Sequence, residues 1–469
     1  MTLLRGYAAD PLDPPYGRNA IPWLGIIVIT VLIFLADHSL RAPIDYLATT
    51  DGTMEAVQMI GEGSSKRQLA YTCMALLGVL SFVWHPRWRL RIRGPLAWSV
   101  LAFLSWALLS FVWSSDHALT VRRVAVLAFV CVGVCGLLRH FRREHIVLLI
   151  MFATLSFVIV GFANEIVLGT FTPFAAKYRF GGTLHPVEQS LNSAMLVLSA
   201  VCLATREKEY RRLYIACAAI GLISLFLTRS RTGTAAMLGA LFLFWMLTAY
   251  RFRMRTMTIV LLSGGVLLLV LLLMANDLVP VPWDVLLMGR GMKNAATLTG
   301  RIPLWELLFR FAMERPVFGY GYNSFMSPGN AMRVAAVIAF GLNSAHSIYL
   351  DTFLGLGVVG FALLIPVLVF GVVRAIRAFG VHRDPALAFF AALILFEMLA
   401  GLLDSTLLFP GPRFLTLFVL GYLAFRDTTD ENVAVDAIPI DESTRYAAGW
   451  AGAGGARRVS GGAMARVRR

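Results

Sequence analysis

Long apolar runs alternate with short polar segments along most of the chain. Many of these runs are long enough to cross a hydrocarbon core of about 30 Å as a single helix. The alternation predicts an all-α polytopic membrane protein with about 12 transmembrane helices. The predicted spans lie near residues 21–37, 68–84, 95–113, 122–138, 146–168, 190–205, 213–228, 232–250, 256–275, 353–373, 386–404 and 412–425.

The polar segments divide the chain into five parts. Residues 1–20 form a cytoplasmic N-terminal segment, and residues 21–275 hold transmembrane helices 1–9. Residues 276–345 form one large periplasmic loop, and residues 346–425 hold transmembrane helices 10–12. Residues 426–469 are acidic first and then rich in Gly, Ala and Arg, so we expect a disordered cytoplasmic tail. No small-residue cleavage site follows the first span, which we therefore interpret as a retained anchor.

The large loop contains a predicted amphipathic helix at about 303–315. The apolar residues at the helical i, i+3, i+4, i+7 spacing are Leu304, Leu307, Leu308 and Phe311. Thr299 is a suitable N-cap, Pro303 fits only a first turn, and Pro316 ends the run. We expect this helix to fold over the outer mouth of the bundle.

The composition is typical of a membrane protein, and the distribution of positive charge along the chain indicates its topology. The chain is 58% hydrophobic, has a mean hydropathy of +0.72 and carries a formal net charge of +15. A strongly basic chain suggests a nucleic-acid partner, but the Lys and Arg residues concentrate in the loops on one side of the predicted bundle. By the positive-inside rule, both termini are cytoplasmic and the partner surface is the lipid bilayer, with no nucleic acid.

The five cysteines all fall inside predicted spans, so they imply no disulfide framework. Cys131 and Cys135 lie one helical turn apart and could be interpreted as a metal-binding pair. With no His or carboxylate nearby in sequence, the interpretation as small buried apolar residues is favoured. The sequence therefore predicts no metal site and no cofactor.

Three arginines lie on the outward side, which the topology rule leaves poor in cations. Arg229 and Arg231 occupy TRSRTG (228–233) between two spans, and Arg301 lies in the first turn of the predicted loop helix. Guanidinium groups match phosphate oxygens in a bidentate geometry, and a helix N-terminus also attracts anions. These residues therefore predict an anion site, although an interfacial pair of snorkelling arginines is the plain alternative for the first two.

A histidine lies at the start of the tenth span, in SAHSIYLD (344–351). If the helix includes it, His346 sits one turn above Tyr349, and Asp351 points elsewhere. A neutral imidazole, with an ordinary pKa near 6.5, can accept a proton at neutral pH. His346 is thus a candidate general base, and a histidine satisfied by neighbours at the membrane interface is the alternative.

Three short motifs occur in order along this half of the chain. They are SRTG (230–233), TGR with LW and RPVFGYG (299–321), and AHSIYLD with GLGVVG (345–360). In this order they resemble the O-antigen ligase and exopolysaccharide polymerase superfamily of bacterial inner membranes. The resemblance implies a multi-pass inner-membrane glycosyltransferase that needs no metal and has a periplasmic active site. It also implies a glycan donor on a polyprenyl diphosphate and a glycan or lipid-linked sugar as acceptor.

The resemblance also assigns roles to individual residues. It implies that Arg231 and Arg301 hold the donor diphosphate and that His346 activates the acceptor hydroxyl; Ser347 stands where the family often has Asn. The further residues that it suggests are Arg229 and either Arg122 or Arg123 for the diphosphate, with Tyr320 and Tyr322 for the sugar rings. Packing of the loop on the bundle is the alternative for both tyrosines.

Three functions remain open at this stage. A polymerase of exopolysaccharide or O-antigen repeat units is preferred, because FGYGYNSF (318–325) and LDTFLGLG (350–357) resemble exopolysaccharide-production members most closely. The near alternative is an O-antigen ligase that transfers the finished polymer to the lipid A core. The distant alternative is a transporter or flippase of lipid-linked sugar. Chain-length regulator or flippase proteins are candidate protein partners.

Overall fold

The computed structural model describes residues 22–38, 64–84, 92–175, 178–249, 301–337, 344–405 and 414–426. All regular secondary structure in these residues is helical. Four predicted parts of the chain lie outside the described residues. They are the N-terminal segment 1–20, the ninth span at 256–275, the first part of the large loop with Thr299, and the tail beyond residue 426.

Thirteen α-helices lie in the described part of the chain. They are α1 (Trp23–Asp37), α2 (Ser65–Trp84), α3 (Gly94–Leu109), α4 (His117–Leu137), α5 (Arg143–Val167), α6 (Pro186–Arg206), α7 (Arg211–Thr228), α8 (Arg231–Thr248), α9 (Arg301–Glu314), α10 (Pro328–Ala335), α11 (Ile348–His382), α12 (Pro385–Ala400) and α13 (Leu415–Phe425).

The prediction of an all-α polytopic membrane protein is confirmed, but the count of twelve spans is not. Seven helical segments in the described residues are long and apolar enough to cross a membrane, when the 3₁₀ turns that extend α3 to Val112 and α4 to His140 are included. Three further apolar helices, α1, α12 and α13, have only 15, 16 and 11 residues. These are shorter than the roughly 20 residues that a helix needs to cross the hydrocarbon core.

Helix α6 is the most enclosed of these spans and packs against α5, α7, α8 and α12. At its C-terminal end, Asp384 caps α12 by accepting from the backbone N–H of Ala386. The same carboxylate pairs with Arg143 of α5 at 2.9 Å and with Arg206 of α6 at 2.5 Å. One aspartate thus ties three helices together at this end of the bundle.

Helix α11 is interrupted at Gly357, whose backbone angles (φ 67°, ψ −169°) are far from helical. The loop that follows α9 docks against this interruption through its main chain. The N–H groups of Tyr320 and Gly321 donate to the carbonyls of Leu354 and Gly355 at 2.9 and 2.8 Å. Carbonyls freed by the kink are thereby satisfied, as a membrane-embedded backbone requires.

Side chains complete the attachment of the loop to the kink. The indole Nε1 of Trp106 in α3 donates to the carbonyl of Leu356 at 3.1 Å. The indole of Trp113 donates to the loop carbonyl of Phe318 at 2.8 Å. Because both tryptophans come from the α3 end, the loop is held between α3 and the N-terminal part of α11.

We predict that Gly357→Ala destabilises the protein because Gly357 is required for this close approach. Its φ lies in the left-handed region, and an added Cβ would overlap the carbonyl oxygen of Val317. Strain of this kind costs on the order of 1–3 kcal/mol before any clash is counted. Thermal unfolding of the detergent-purified protein should show a lower midpoint.

Gly380→Ala is the matched control within the same helix. Nothing lies within 4 Å of the position that its Cβ would occupy, so alanine should leave stability unchanged or raise it by up to about 1 kcal/mol. Equal midpoints for the two variants would contradict the role given to Gly357.

Candidate functional site

The loop tyrosines are buried rather than presented to solvent. Tyr320 and Tyr322 are each 3% exposed. The hydroxyl of Tyr320 donates to Glu314 at 2.7 Å and lies 3.1 Å from the carbonyl oxygen of Phe311. Burial, followed by the bond to Glu314, raises the pKa of Tyr320 to about 12. Both tyrosines are packed in the interior of this structure, and a role for either of them in binding a sugar stays a prediction.

His346 lies before α11 and not within it, which differs from the face-sharing helix expected from the sequence. Its backbone is left-handed (φ 53°), and the helix begins at Ile348 after Ser347 at the N-cap. Asp351 accepts from the backbone N–H of Ala345 at 2.9 Å. Ser347 donates to the carbonyl of Gly401 at 3.3 Å. The turn that carries His346 is thus fixed from both sides.

A carboxylate that the sequence analysis did not select lies beside the imidazole. Nδ1 of His346 is 3.7 Å from Oδ1 of Asp404, which follows the end of α12. The His346 side chain is 40% exposed and that of Asp404 only 10%. Ser405 donates to Asp351, so the segments that carry the two partners are tied together. The local sequence gives no signal for this pairing, because Asp404 lies 58 positions after His346 in the chain.

Arg229 and Arg231 lie in the turn between α7 and α8, at the end of the bundle where α11 begins, which we call the histidine end. Arg229 is left-handed (φ 50°), and Arg231 is the first residue of α8. A Cβ on Gly233 would lie 2.6 Å from the hydroxyl of Ser190. The turn therefore sits directly against the start of α6.

The segment 178–185 crosses the same end of the bundle and adds residues that the sequence analysis missed. Nε of Arg179 donates to the carbonyl of Thr228 at 3.0 Å, next to the arginine turn. His185 caps α6, and its Nδ1 accepts from the N–H of Val187 at 3.3 Å. The HP pair at 185–186, a capping residue before a proline at the first helical position, was the available signal.

His185 also interacts with the histidine–aspartate pair. Burial lowers the pKa of its imidazole below the usual range. Arg179 and His346 act in the same direction, and Asp404 acts in the opposite one. The lowered pKa keeps His185 neutral at pH 7, as its role as a hydrogen-bond acceptor at the helix cap requires.

A single buried carboxylate holds this segment in place. Glu165, near the C-terminal end of α5, is 2% exposed. Its Oε1 accepts from the N–H groups of Gly181 and Gly182 at 3.0 and 2.7 Å. Its Oε2 accepts from the hydroxyl of Tyr178 at 2.5 Å. The position of Arg179 and His185 thus depends on a residue that belongs to a neighbouring span.

Arg301 is the first residue of α9, a helix that contacts the histidine turn. One turn further along α9, Trp305 donates from its indole to the carbonyl of Ala345 at 2.9 Å. Ala345 immediately precedes His346. The apolar face of α9 packs on the loop and on α11 through Leu304 and Leu308, which are 4% and 0% exposed.

Arg123, one of two neighbouring arginines near the start of α4, bonds the loop. Its Nη1 donates to the carbonyl of Asn323. Nearby, Thr120 donates to Ser324 at 2.7 Å. Arg123 also interacts electrostatically with Asp351. It therefore lies between the docked loop and the acidic residues near His346, and its role in binding a ligand stays a prediction.

The histidine end thus combines guanidinium groups with an imidazole that faces a carboxylate. Positive groups at helix starts can bind an anion of multiple charge. A neutral imidazole oriented by a carboxylate can accept a proton. Together these groups can stabilise a leaving anion and deprotonate a hydroxyl.

Comparison with known families gives one match that overlaps this end of the bundle. Residues 216–365 match the family model described as O-antigen ligase. The resemblance to the O-antigen ligase and polymerase superfamily is therefore confirmed over this stretch, which contains the turn at 229–231, Arg301 and His346. Arg179, His185 and Asp404 lie outside it. No curated protein sequence matches the chain significantly.

We predict that Glu165→Ala loosens the segment 178–185. Hydrogen bonds to a charged group contribute roughly 1.5–3 kcal/mol each. The amides of Gly181 and Gly182 should therefore exchange with deuterium about tenfold faster or more, as hydrogen exchange read by mass spectrometry would show. Glu188→Ala is the control, because Glu188 is an exposed carboxylate at the start of α6. Unchanged exchange at both glycines would refute the role of Glu165.

Proposed function

We propose that this protein is a membrane glycosyltransferase that acts without a metal ion. It transfers a glycan from a polyprenyl diphosphate to a sugar hydroxyl at the histidine end of the bundle. The observation that carries the proposal is the pairing of His346 with Asp404 at the end that also holds Arg229, Arg231 and Arg301. The family match over residues 216–365 supports it.

The arginines provide the site for the donor diphosphate. Arg231 and Arg301 each begin a helix, so a phosphate bound there also meets backbone N–H groups and the positive end of the helix dipole. Arg229 and Arg123 are further cations for the same group. As the anomeric bond breaks, negative charge grows on the departing diphosphate, and preorganised guanidinium groups stabilise it.

His346 is the general base for the acceptor. Its Nδ1 faces Asp404, which favours the tautomer that carries the proton on Nδ1 and leaves Nε2 to act as base. The acceptor hydroxyl gives its proton to Nε2 while its oxygen bonds to the anomeric carbon. The electron pair of the broken C–O bond leaves with the diphosphate. Asp404 then stabilises the imidazolium that forms.

A lipid-linked donor explains why the site lies at the end of membrane helices. The polyprenyl chain can stay in hydrocarbon while its diphosphate reaches the arginines. In this proposal the protein lies in a bacterial inner membrane. Its reaction site is periplasmic and both of its termini are cytoplasmic. A flippase that delivers the lipid-linked glycan and a chain-length regulator are the protein partners that such a reaction would require.

Polymerisation of exopolysaccharide or O-antigen repeat units is the preferred form of the reaction. The description of the matched family as O-antigen ligase favours the second form, transfer of a finished polymer to the lipid A core. Disruption of the gene separates the two. Accumulated single lipid-linked repeats indicate a polymerase, whereas long carrier-bound polymer together with uncapped core indicates a ligase.

We predict that His346→Ala lowers glycan product by about 10²–10⁴-fold per folded protein, the usual contribution of a general base. Product is measured in membranes of the disrupted strain that express the variant. His382→Ala, at the other end of α11, is the control and should retain activity. Full product from His346→Ala at normal membrane insertion would end the proposal for this residue.

We predict that Arg301→Lys also loses most of the product. A lysine ammonium keeps the charge but cannot form the paired hydrogen bonds of a guanidinium. Loss of one preorganised donor typically lowers the rate by about 10²–10³-fold. Arg310→Lys is the matched control, because Arg310 is exposed in the same helix α9. Equal activity of the two variants would show that charge alone is sufficient at Arg301.

A further inference from the structure

The turn that carries His346 is held in an unusual backbone conformation. The φ angle of His346 is 53°, in the left-handed region that residues other than glycine seldom adopt. Strained residues of this kind persist only where the surrounding structure enforces them, and they concentrate at functional sites. The contacts that hold this turn are therefore candidates for control of the imidazole.

A closed ring of contacts joins the two members of the histidine–aspartate pair. Nδ1 of His346 lies 3.7 Å from Oδ1 of Asp404. The same Oδ1 accepts from the backbone N–H of Ser405 at 2.9 Å, and the hydroxyl of Ser405 donates to Oδ2 of Asp351. Oδ1 of Asp351 accepts from the N–H of Ala345 at 2.9 Å, and Ala345 is joined to His346 by a peptide bond. These five residues form what we call the contact ring.

Asp351 is the member of the contact ring that connects its two sides. One carboxylate oxygen holds the backbone before His346, and the other holds the residue after Asp404. Asp351 lies in the first turn of α11, where the helix dipole also favours a negative charge. The sequence spacing turns Asp351 away from His346, and its link to the imidazole runs through the backbone instead.

The start of α11 also lies directly against the end of α12. The hydroxyl of Ser347 and the backbone N–H of Ile348 both donate to the carbonyl of Gly401, at 3.3 and 2.9 Å. A Cβ on Gly401 would lie 2.4 Å from Cγ2 of Ile348, so this close approach requires a glycine. The contact fixes where the histidine turn sits against α12, and the contact ring then sets the spacing of the two side chains.

The separation of the pair is a quantity on which the proposed reaction depends. At 3.7 Å, Nδ1 of His346 and Oδ1 of Asp404 are farther apart than in a hydrogen bond, which spans about 2.7–3.2 Å. Catalytic hydrogen bonds are often long without substrate and shorten in its complex. An error of about 1 Å in such a geometry can slow a reaction about 100-fold. A residue that fixes both sides of the pair can therefore control the rate without touching the substrate.

We propose that Asp351 is a positioning residue that sets the separation of His346 and Asp404, with Ser405 as its link to the aspartate. This inference rests on the proposed function and adds to it the residue that maintains the geometry of the base. Asp351 takes no part in the proton transfer from the acceptor hydroxyl to Nε2 of His346. It keeps Asp404 where that carboxylate can stabilise the imidazolium.

Asp351→Ala tests the positioning role, because alanine removes both hydrogen bonds of the carboxylate. We expect it to lower glycan transfer by about 10–100-fold per folded protein, since the spacing of His346 and Asp404 can then drift by about 1 Å. Transfer is measured in membranes of the disrupted strain that express the variant. Full transfer by Asp351→Ala would overturn the proposal.

Thr352→Val is the matched control at the next position of α11. Thr352 is 1% exposed, and its hydroxyl donates to the carbonyl of Ile348 within the helix at 2.6 Å. The change thus also removes a buried hydrogen bond, but none that belongs to the contact ring. It should retain full transfer. A loss equal to that of Asp351→Ala would show that the effect reports helix stability only.

Ser405→Ala is the second variant, and it keeps the proposal testable if Asp351→Ala fails to insert in the membrane. It removes one hydroxyl and leaves Asp351 bonded to Ala345, so it should lower transfer by less than Asp351→Ala does. In a protein that already carries Asp404→Ala, Ser405→Ala should have no further effect, because the carboxylate that it positions is absent. A general structural role would lower transfer by the same factor in both backgrounds, and that result would overturn the proposal.

The positioning role and the proposed function fail in different ways. Full product from His346→Ala would refute the general base, whatever the contact ring does. Loss of product from His346→Ala beside full transfer by Asp351→Ala would retain the base and refute the positioning role.

Discussion

The docking of a glycine-rich loop into the kink of α11 is the constraint on which the described site depends. A helix broken inside a membrane exposes carbonyls that no water can reach, and each must find a donor in the protein. Here the main chain of Tyr320 and Gly321 and the indole of Trp106 supply the donors. The two motifs FGYG and GLG therefore describe two sides of one contact.

This contact organises the residues around it. When the loop is docked, Arg123 of α4 donates a hydrogen bond to the carbonyl of Asn323, and Thr120 of α4 donates one to Ser324. The helix before the loop, α9, then lies along α11 and brings Trp305 to the backbone beside His346. Separate parts of the sequence thus reach the histidine end through one glycine-dependent attachment.

The sequence alone was sufficient for features that depend on local pattern. Apolar run length predicts a helical membrane protein, and helical spacing locates the buried face of α9. The ordered motifs select His346 and the arginines. The sequence alone was insufficient for contacts between segments that are distant in the chain, such as Asp404 with His346 or Glu165 with Gly181. The tyrosines illustrate the same limit, because an aromatic loop that binds sugar and one that packs on a bundle have the same local sequence.

The kink has a mechanical consequence for the histidine. The part of α11 before Gly357 has nine residues, so it is a rigid arm of about 14 Å at 1.5 Å per residue. A tilt of roughly 10° at the joint would swing the far end by about 2 Å, and misplacement by about 1 Å can slow a reaction about 100-fold. In the proposed reaction, the orientation of the part of α11 before Gly357 therefore depends on how firmly the docked loop holds that glycine, while hydrogen bonds to Gly401 and Asp351 fix the histidine turn itself.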